Sequence, residues 1–416
     1  MMSKEKNYNC DFCGKNKNEV QKLIVGDNST ICNECVSLCV NILEEEKIRT
    51  IKTESGFDEQ KLNPKEIKKH LDQHVIGQDH AKMSFSVAVA QHYKKLNNPS
   101  EDIKLDKTNV MIMGPTGSGK TLLAQTVADY LNVPFAICDA TTLTEAGYVG
   151  DDVESIVTRL LQNADGNVEL AQRGIVFIDE IDKITKKSQN VSITRDVSGE
   201  GVQQGLLKIV EGTTVRVAAS GGKRKHPGAD MVDVDTSNIL FIVGGAFVGL
   251  DEILKSRTNS NSVGFGATIK DPNLEADLSQ ILPEDLIKYG FIPEFIGRFG
   301  LITYVKQLTE EQLCSILKEP KNCLIKQYQY LFGLDGINLE FTDDSLRAIA
   351  SKAMELKTGA RGLKKIIEEA LLEYQYEATD YASNGLDTIT VQKETITKND
   401  KPLLVYKNTR TNGKKH

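Results

Sequence analysis

Gly114-Pro115-Thr116-Gly117-Ser118-Gly119-Lys120-Thr121 decides the fold of this chain. The stretch fits G-x-x-x-x-G-K-[ST]. It follows the apolar run Asn109–Met113 and precedes the helical pattern Leu122–Leu131. Strand, glycine-rich turn and helix in that order make a phosphate-binding loop. The glycines let backbone N–H groups turn inward around phosphate oxygens, and the helix N-terminus adds partial positive charge. Lys120 is expected to reach the β- and γ-phosphates of ATP, and Thr121 to ligate magnesium. Gly114, Pro115, Thr116, Gly117, Ser118, Gly119 and Leu122 complete the expected nucleotide contacts.

Outward from this loop lie four more short apolar runs: Pro134–Cys138, Gly174–Ile178, Asn238–Val243 and Leu301–Val305. Each is continuous rather than alternating, as in a parallel sheet covered on both faces. With helical patterns between them, the runs predict an α/β fold with five parallel strands. The run Gly174–Ile178 ends in Asp179-Glu180. Beside a phosphate loop, Asp179 can hold magnesium and Glu180 can orient and deprotonate the attacking water. Past Lys306 the pattern changes. Thr309-Glu310-Glu311-Gln312 has capping-box spacing, Thr342 precedes a second helical run, and Leu363–Tyr376 is a third. Strand-like pieces Thr388–Val391 and Leu403–Tyr406 follow, so a smaller, mostly helical α+β domain is expected. Two arginines stand out: Arg298, just before the last large-domain strand, and Arg361, in Thr358–Gly362 at a helix start.

The N-terminal region carries different chemistry. Cys10-x-x-Cys13, then 18 residues, then Cys32-x-x-Cys35 matches two thiolate knuckles holding one tetrahedral zinc. Cys39 lies one helical turn beyond Cys35 and could compete as a ligand, but it reads more readily as a small buried hydrophobe. Residues 1–50 hold 7 Lys/Arg against 8 Asp/Glu, a near-neutral balance that favours a protein partner over nucleic acid. His70-x-x-x-His74 has metal-pair spacing but lacks the Glu of H-E-x-x-H, and it reads as structural.

The expected boundaries are a zinc module at 1–50, a linker at 51–61, a large ATPase domain at 62–305, a small domain at 306–408 and a disordered tail at 409–416. The whole chain of 416 residues has a net charge of −7, which argues against a protein built to grip nucleic acid. No apolar run approaches the roughly 20 residues of a membrane helix, and Met1–Asn9 carries no export signal. The reading is a cytoplasmic chain whose clustered cysteines bind metal rather than pair as disulfides.

Further motifs make the resemblance specific. They are Val75-Ile76-Gly77-Gln78, Thr141 to Gly150, Ser192 to Gly201, Arg224-Lys225-His226, Pro293 to Arg298 and Gly359-Ala360-Arg361-Gly362. With the four cysteines, and from about Tyr8 to Tyr406, the chain resembles the ClpX family of AAA+ protein unfoldases. The HslU motors carry a similar pore loop, and the zinc module separates the two. The resemblance implies roles. Val75 and Ile76 pack on adenine, Arg298 reaches a neighbouring subunit's γ-phosphate, and Arg361 links the small domain to the nucleotide. Tyr148 and Val149 form the loop that grips polypeptide, the Arg195 segment a second pore loop, and Arg224-Lys225-His226 the pore entrance. It also implies a homohexamer that threads substrate proteins into a ClpP-type peptidase, adaptors recruited through the zinc module, and chaperone activity without the peptidase. The docking loop departs from the family's common Ile-Gly-Phe, reading Val263-Gly264-Phe265. The missing methylene is worth roughly 1 kcal/mol of buried anchor. No G-x-S-x-G or H-E-x-x-H occurs, so peptide cleavage falls to the partner. A nucleic-acid remodeller is the competing reading.

Overall fold

A computed structural model of the chain describes residues 9–26, 29–40, 61–97, 103, 105–144, 151–185, 199–219, 231–260 and 278–407. The chain divides into two compact units, Met1–Lys61 and Leu62–His416.

The five apolar runs of the second unit pair as one parallel sheet. Its strands are β1 (Asn109–Met113), β2 (Phe135–Asp139), β3 (Ile175–Asp179), β4 (Leu240–Gly245) and β5 (Phe299–Tyr304), in the order β5-β1-β4-β3-β2. All four pairings are parallel. Every residue of β1 and β4 is buried, which is why these runs are continuous in the sequence. Several strands begin a residue or two later than the apolar runs. Pro134 has no N–H to give a ladder, and Asn238 closes a short 3-10 turn, Thr236–Asn238. Helices cover the sheet. Those used below are α1 (Pro64–Asp72), α2 (Asp79–Asn97), α3 (Lys120–Leu131), α4 (Ser155–Asn163) and α5 (Glu200–Glu211). Ile156, Val157, Leu160 and Leu161 of α4 and Val202, Leu206, Ile209 and Val210 of α5 pack into the same core as Val176, Ile178, Phe241 and Val243 of the sheet. A hairpin, Thr214–Ala218 with Met231–Asp235, alternates buried and exposed residues along its first strand, so it lacks the continuous pattern of the central strands.

After β5 the chain builds a second lobe on a separate core. Its helices are α6 (Glu310–Lys318), α7 (Leu324–Leu334), α8 (Asp343–Glu355) and α9 (Ala360–Tyr376). The capping box at Thr309 forms: its hydroxyl accepts from the Gln312 N–H at 3.2 Å, and the Gln312 side chain accepts from the Thr309 N–H at 3.1 Å. Leu313, Leu317, Ile349, Leu363, Ile367 and Leu371 fill the interior. Leu386–Val391 pairs antiparallel with Leu403–Tyr406 and parallel with Asn338–Phe341, a strand the sequence did not announce.

The first unit is small. A hairpin, Leu23–Val25 with Thr30–Cys32, leads into a helix over 33–40. Its core consists of Cys10, Cys32 and Cys35, with Val20, Leu23 and Ile31 packed around them. Among the described residues, no helix is long and apolar enough to cross a membrane.

Candidate functional site

In a parallel sheet the chain leaves every strand at the same edge, so the loops after β1, β3 and β4 meet there. A cleft of about 430 Å³ opens at that edge, lined by Thr116, Gly117, Gly119, Lys120, Thr121 and Leu122 from the phosphate loop. Asp179, Glu180, Asp182 and Lys183 line it from beyond β3, Ala246 and Val248 from beyond β4, and Ala360 and Arg361 from the small lobe.

The loop's geometry needs its glycines. Gly114 has φ +144°, and a Cβ there would strike the Val305 carbonyl. Gly117 has φ +75°, and a Cβ would meet the Thr358 carbonyl oxygen at 2.7 Å. The close approach has a purpose, because the Ala360 N–H donates to the Gly117 carbonyl at 3.2 Å. The first turn of α9 is thus hydrogen-bonded to the phosphate loop itself.

Lys120 is buried, and its ammonium donates to the carbonyls of Gly114 at 2.7 Å and Pro115 at 2.9 Å. Burial draws its pKa below the usual lysine range, and Arg361 adds to this while Asp179 opposes it. A phosphate in the cleft would add to the countercharge that Asp179 supplies. Thr121 Oγ1 donates to Asp179 Oδ2 at 3.3 Å, so the two oxygens expected at a magnesium ion stand together. Their hard oxygen chemistry fits that ion. Arg361 places a guanidinium nitrogen 3.9 Å from the same Asp179 oxygen. Glu180 takes φ 55°, ψ 33°, a left-handed conformation costing a non-glycine residue roughly 1–3 kcal/mol. That turn ends the strand at Asp179 and leaves Glu180 in the cleft lining.

Val75 is buried beside the loop: a Cβ on Gly119 would lie 3.8 Å from Val75 Cγ1. Ile76 is half-buried next to it. Arg298 does not line this cleft among the described residues; it pairs with Glu211 at the end of α5. Tyr148, Val149, Arg195, Arg224, Lys225, His226, Val263, Gly264 and Phe265 lie outside the described residues. Asp182, Ala246 and Val248 were not anticipated. Asp182 is buried, and its Oδ1 accepts from the Ala246 N–H at 3.1 Å, joining the exits of β3 and β4. A further acidic residue three positions after Asp179 was the available signal.

In the first unit the sulfurs of Cys10, Cys13, Cys32 and Cys35 all lie within 4.8 Å of one another. Cys13 and Cys32 sulfurs are 3.7 Å apart. A tetrahedron with Zn–S bonds of about 2.3 Å has edges of about 3.8 Å, so the sulfurs fit zinc. The Cys32 N–H donates to Cys10 Sγ at 3.2 Å and the Cys35 N–H to Cys32 Sγ at 3.4 Å. Burial works against ionising Cys10, but the amides of Cys13, Cys32 and Phe12 outweigh it and bring its pKa down to about 6. Burial and the neighbouring thiols push Cys35 up. A metal ion would hold all four as thiolates. Cys39 is not part of this cluster, and it is half-buried rather than in the core as expected, because the core ends one helical turn earlier, at Cys35. His70 packs between His74 and Tyr130, with ring centroids 4.9 and 4.6 Å away, as a structural pair does.

A phosphate loop after β1, an acidic pair at the end of β3, sheet order β5-β1-β4-β3-β2 and a helical lobe reaching the nucleotide cleft define an AAA+ ATPase. Comparison with known families agrees. The AAA domain (Cdc48 subfamily) matches residues 105–302, and the C-terminal, D2-small domain of ClpB protein matches residues 308–378. The ClpX C4-type zinc finger matches residues 8–45. The ATP-dependent Clp protease ATP-binding subunit ClpX of Treponema denticola is 50% identical over 395 residues, covering 93% of each chain. The chain belongs to the ClpX family.

Proposed function

We propose that this chain is the motor of a homohexameric ring that unfolds proteins, threads them through a central pore and delivers them to a ClpP-type peptidase. One observation carries the reading: the nucleotide cleft is closed by the small lobe, through Ala360 on Gly117 and Arg361 beside Asp179. A change at the γ-phosphate therefore acts on the atoms that orient one lobe against the other, which is how hydrolysis becomes movement. The likeness to a protein named as the ATP-binding subunit of the Clp protease supports the partner.

In this reading Lys120 binds the β- and γ-phosphates and Glu180 takes a proton from the attacking water. Thr121 and Asp179 would hold magnesium, whose chemistry is to neutralise phosphate charge. Val75 and Ile76 face adenine, and Arg361 reports the nucleotide to the small lobe. Arg298, paired with Glu211 rather than lining its own cleft, serves the neighbouring subunit. Tyr148 and Val149 grip the polypeptide, Arg195 lies in a second pore loop, and Arg224, Lys225 and His226 guard the entrance. Val263, Gly264 and Phe265 dock the peptidase. The zinc module recruits substrates and adaptors, and without the peptidase the ring acts as a chaperone. In this reading the motor works in a bacterial-type cytosol, which the likeness to the family supports.

The test pairs two substrates, a folded tagged reporter and its unfolded form, with and without the cognate peptidase. Tyr148→Ala is expected to keep ATPase within about threefold of the parent and to lose most unfolding of the folded reporter, since an aromatic ring grips any sequence through contact area. Parental unfolding by Tyr148→Ala would overturn the pore-grip reading. ATPase stimulated by DNA rather than by unfolded protein would favour a nucleic-acid remodeller.

A further inference from the structure

We infer that Gln78 is a positioning residue that clasps the hinge between the lobes and ties it to the nucleotide-facing segment Val75–Ile76. Its side-chain amide makes two hydrogen bonds to one residue 228 positions away. Nε2 donates to the Lys306 carbonyl at 2.8 Å, and Oε1 accepts from the Lys306 N–H at 2.8 Å. Lys306 sits between the end of β5 and the start of α6, in the segment that joins the lobes. A carboxamide is the side-chain group that offers a donor and an acceptor side by side, so it can satisfy both main-chain groups as a neighbouring strand would.

The contacts on either side of Gln78 reach the same segment. Gly77, at φ +66°, lies so close to the Gln312 side chain that a Cβ would meet its amide nitrogen at 2.5 Å. Gln312 belongs to the capping box that starts α6. The His80 ring stacks on Tyr304, the last residue of β5, with centroids 5.5 Å apart. Residues 77–80 therefore touch the strand before the hinge, the hinge itself and the first turn after it. At its other end the loop is fixed to the large lobe. The Val75 carbonyl accepts from Lys82 Nζ at 3.2 Å, and the Val75 side chain stands beside Gly119. Gln78 itself has φ 60°, an uncommon conformation for a non-glycine residue. Among the described residues, the small lobe thus meets the large one at Gly117 through Ala360 and at Asp179 through Arg361, and the joining segment is held at Gln78 through Lys306. Rotation about the hinge must either break the Gln78 pair or carry Val75–Ile76 with it. The inference rests on the nucleotide reading proposed above and adds a residue and a direction of coupling to it.

The experiment uses the full-length chain with Gln78→Ala and Gln78→Glu. Hydrogen exchange over residues 303–309, the KM for ATP and the melting temperature are measured on each. Gln78→Ala should speed exchange of the Lys306 amide about five- to tenfold, the loss of one ordinary hydrogen bond. Gln78→Glu keeps the acceptor for that amide but sets a carboxylate against the Lys306 carbonyl. It should preserve most of the protection while raising KM for ATP as much as Gln78→Ala does, about three- to tenfold. Lys306 exchange and KM within twofold of the parent in both variants would overturn the inference. So would a uniform rise in exchange across both lobes with a large fall in melting temperature, the mark of a structural role only. A parental chain that fails to bind ATP would instead remove the nucleotide reading, and the Lys306 exchange would still report on the clasp.

Discussion

In the cysteine module the candidate metal ligands are themselves the core: among the described residues Cys10, Cys32 and Cys35 form it, with Val20, Leu23 and Ile31 packed against them. In the large lobe the reverse holds. Lys120, Asp179 and Glu180 stand at the edge of a sheet whose interior is filled by Met111, Val176, Ile178, Phe241 and Val243, none of which touches the chemistry. A module of about 50 residues buries too little apolar surface to fold on packing alone. The large lobe has surplus core and can spend backbone strain on its site, as at Glu180. Removing the ligand chemistry should therefore unfold the first region and merely silence the second.

Zinc removal tests the first half of that contrast and should give the largest effect. Structural zinc contributes about 10–16 kcal/mol to folding of such modules. A zinc-selective chelator is expected to unfold the module entirely, read by NMR of its amides, while ATP turnover stays within about twofold. An intact module without metal would break the comparison.

Arg298→Ala comes next. Arginines that reach a transferring phosphate contribute about 10³–10⁵ in rate. Because Arg298 is half-exposed and meets Glu211 rather than its own cleft, the melting temperature should hardly move. Mixed rings of Arg298→Ala and Glu180→Gln subunits should regain turnover at interfaces that join two intact halves. Mixed rings that stay inactive would sink the assignment in trans.

Glu180→Gln should lower turnover about 10²–10⁴-fold, the usual contribution of a positioned base. The amide keeps size and backbone, so nucleotide affinity and melting temperature should stay near parental. A variant that hydrolyses ATP normally removes Glu180 from the base's role, and one that unfolds would show that the site is part of the core after all.

The smallest effect expected is at Thr342, whose hydroxyl accepts from the Ser345 N–H at 3.2 Å to cap α8. Thr342→Ala should cost about 1 kcal/mol of stability. It should lower the melting temperature by about 2–4 °C and leave kcat unchanged. Altered turnover would show that packing and chemistry in this unit are less separable than the contrast with the cysteine module claims.

Where chemistry sits in neighbouring residues, it could be read directly. The phosphate loop needs a glycine turn, a lysine and a hydroxyl within eight residues. The zinc knuckles need cysteines three apart, and the acidic pair needs only the end of an apolar run. The capping residues Thr309 and Thr342 were equally local. The alternating hairpin at 214–218 and 231–235 was missed because its half-buried face does not produce a continuous run.

The amino-acid sequence by itself determined the α/β class, the nucleotide loop, the acidic pair and the four-cysteine cluster, because each depends on short spacing and on period. Tertiary structure alone decided the rest. The sheet order sets β4 between β1 and β3, and so brings Ala246 and Val248 into the cleft. It decided that Arg361 approaches Asp179, that Arg298 meets Glu211, and that Gln78 holds Lys306. Those partners lie tens to hundreds of residues apart, and only the packing of strands and lobes brings their hydrogen-bonding groups within 4 Å, a distance that no local pattern encodes.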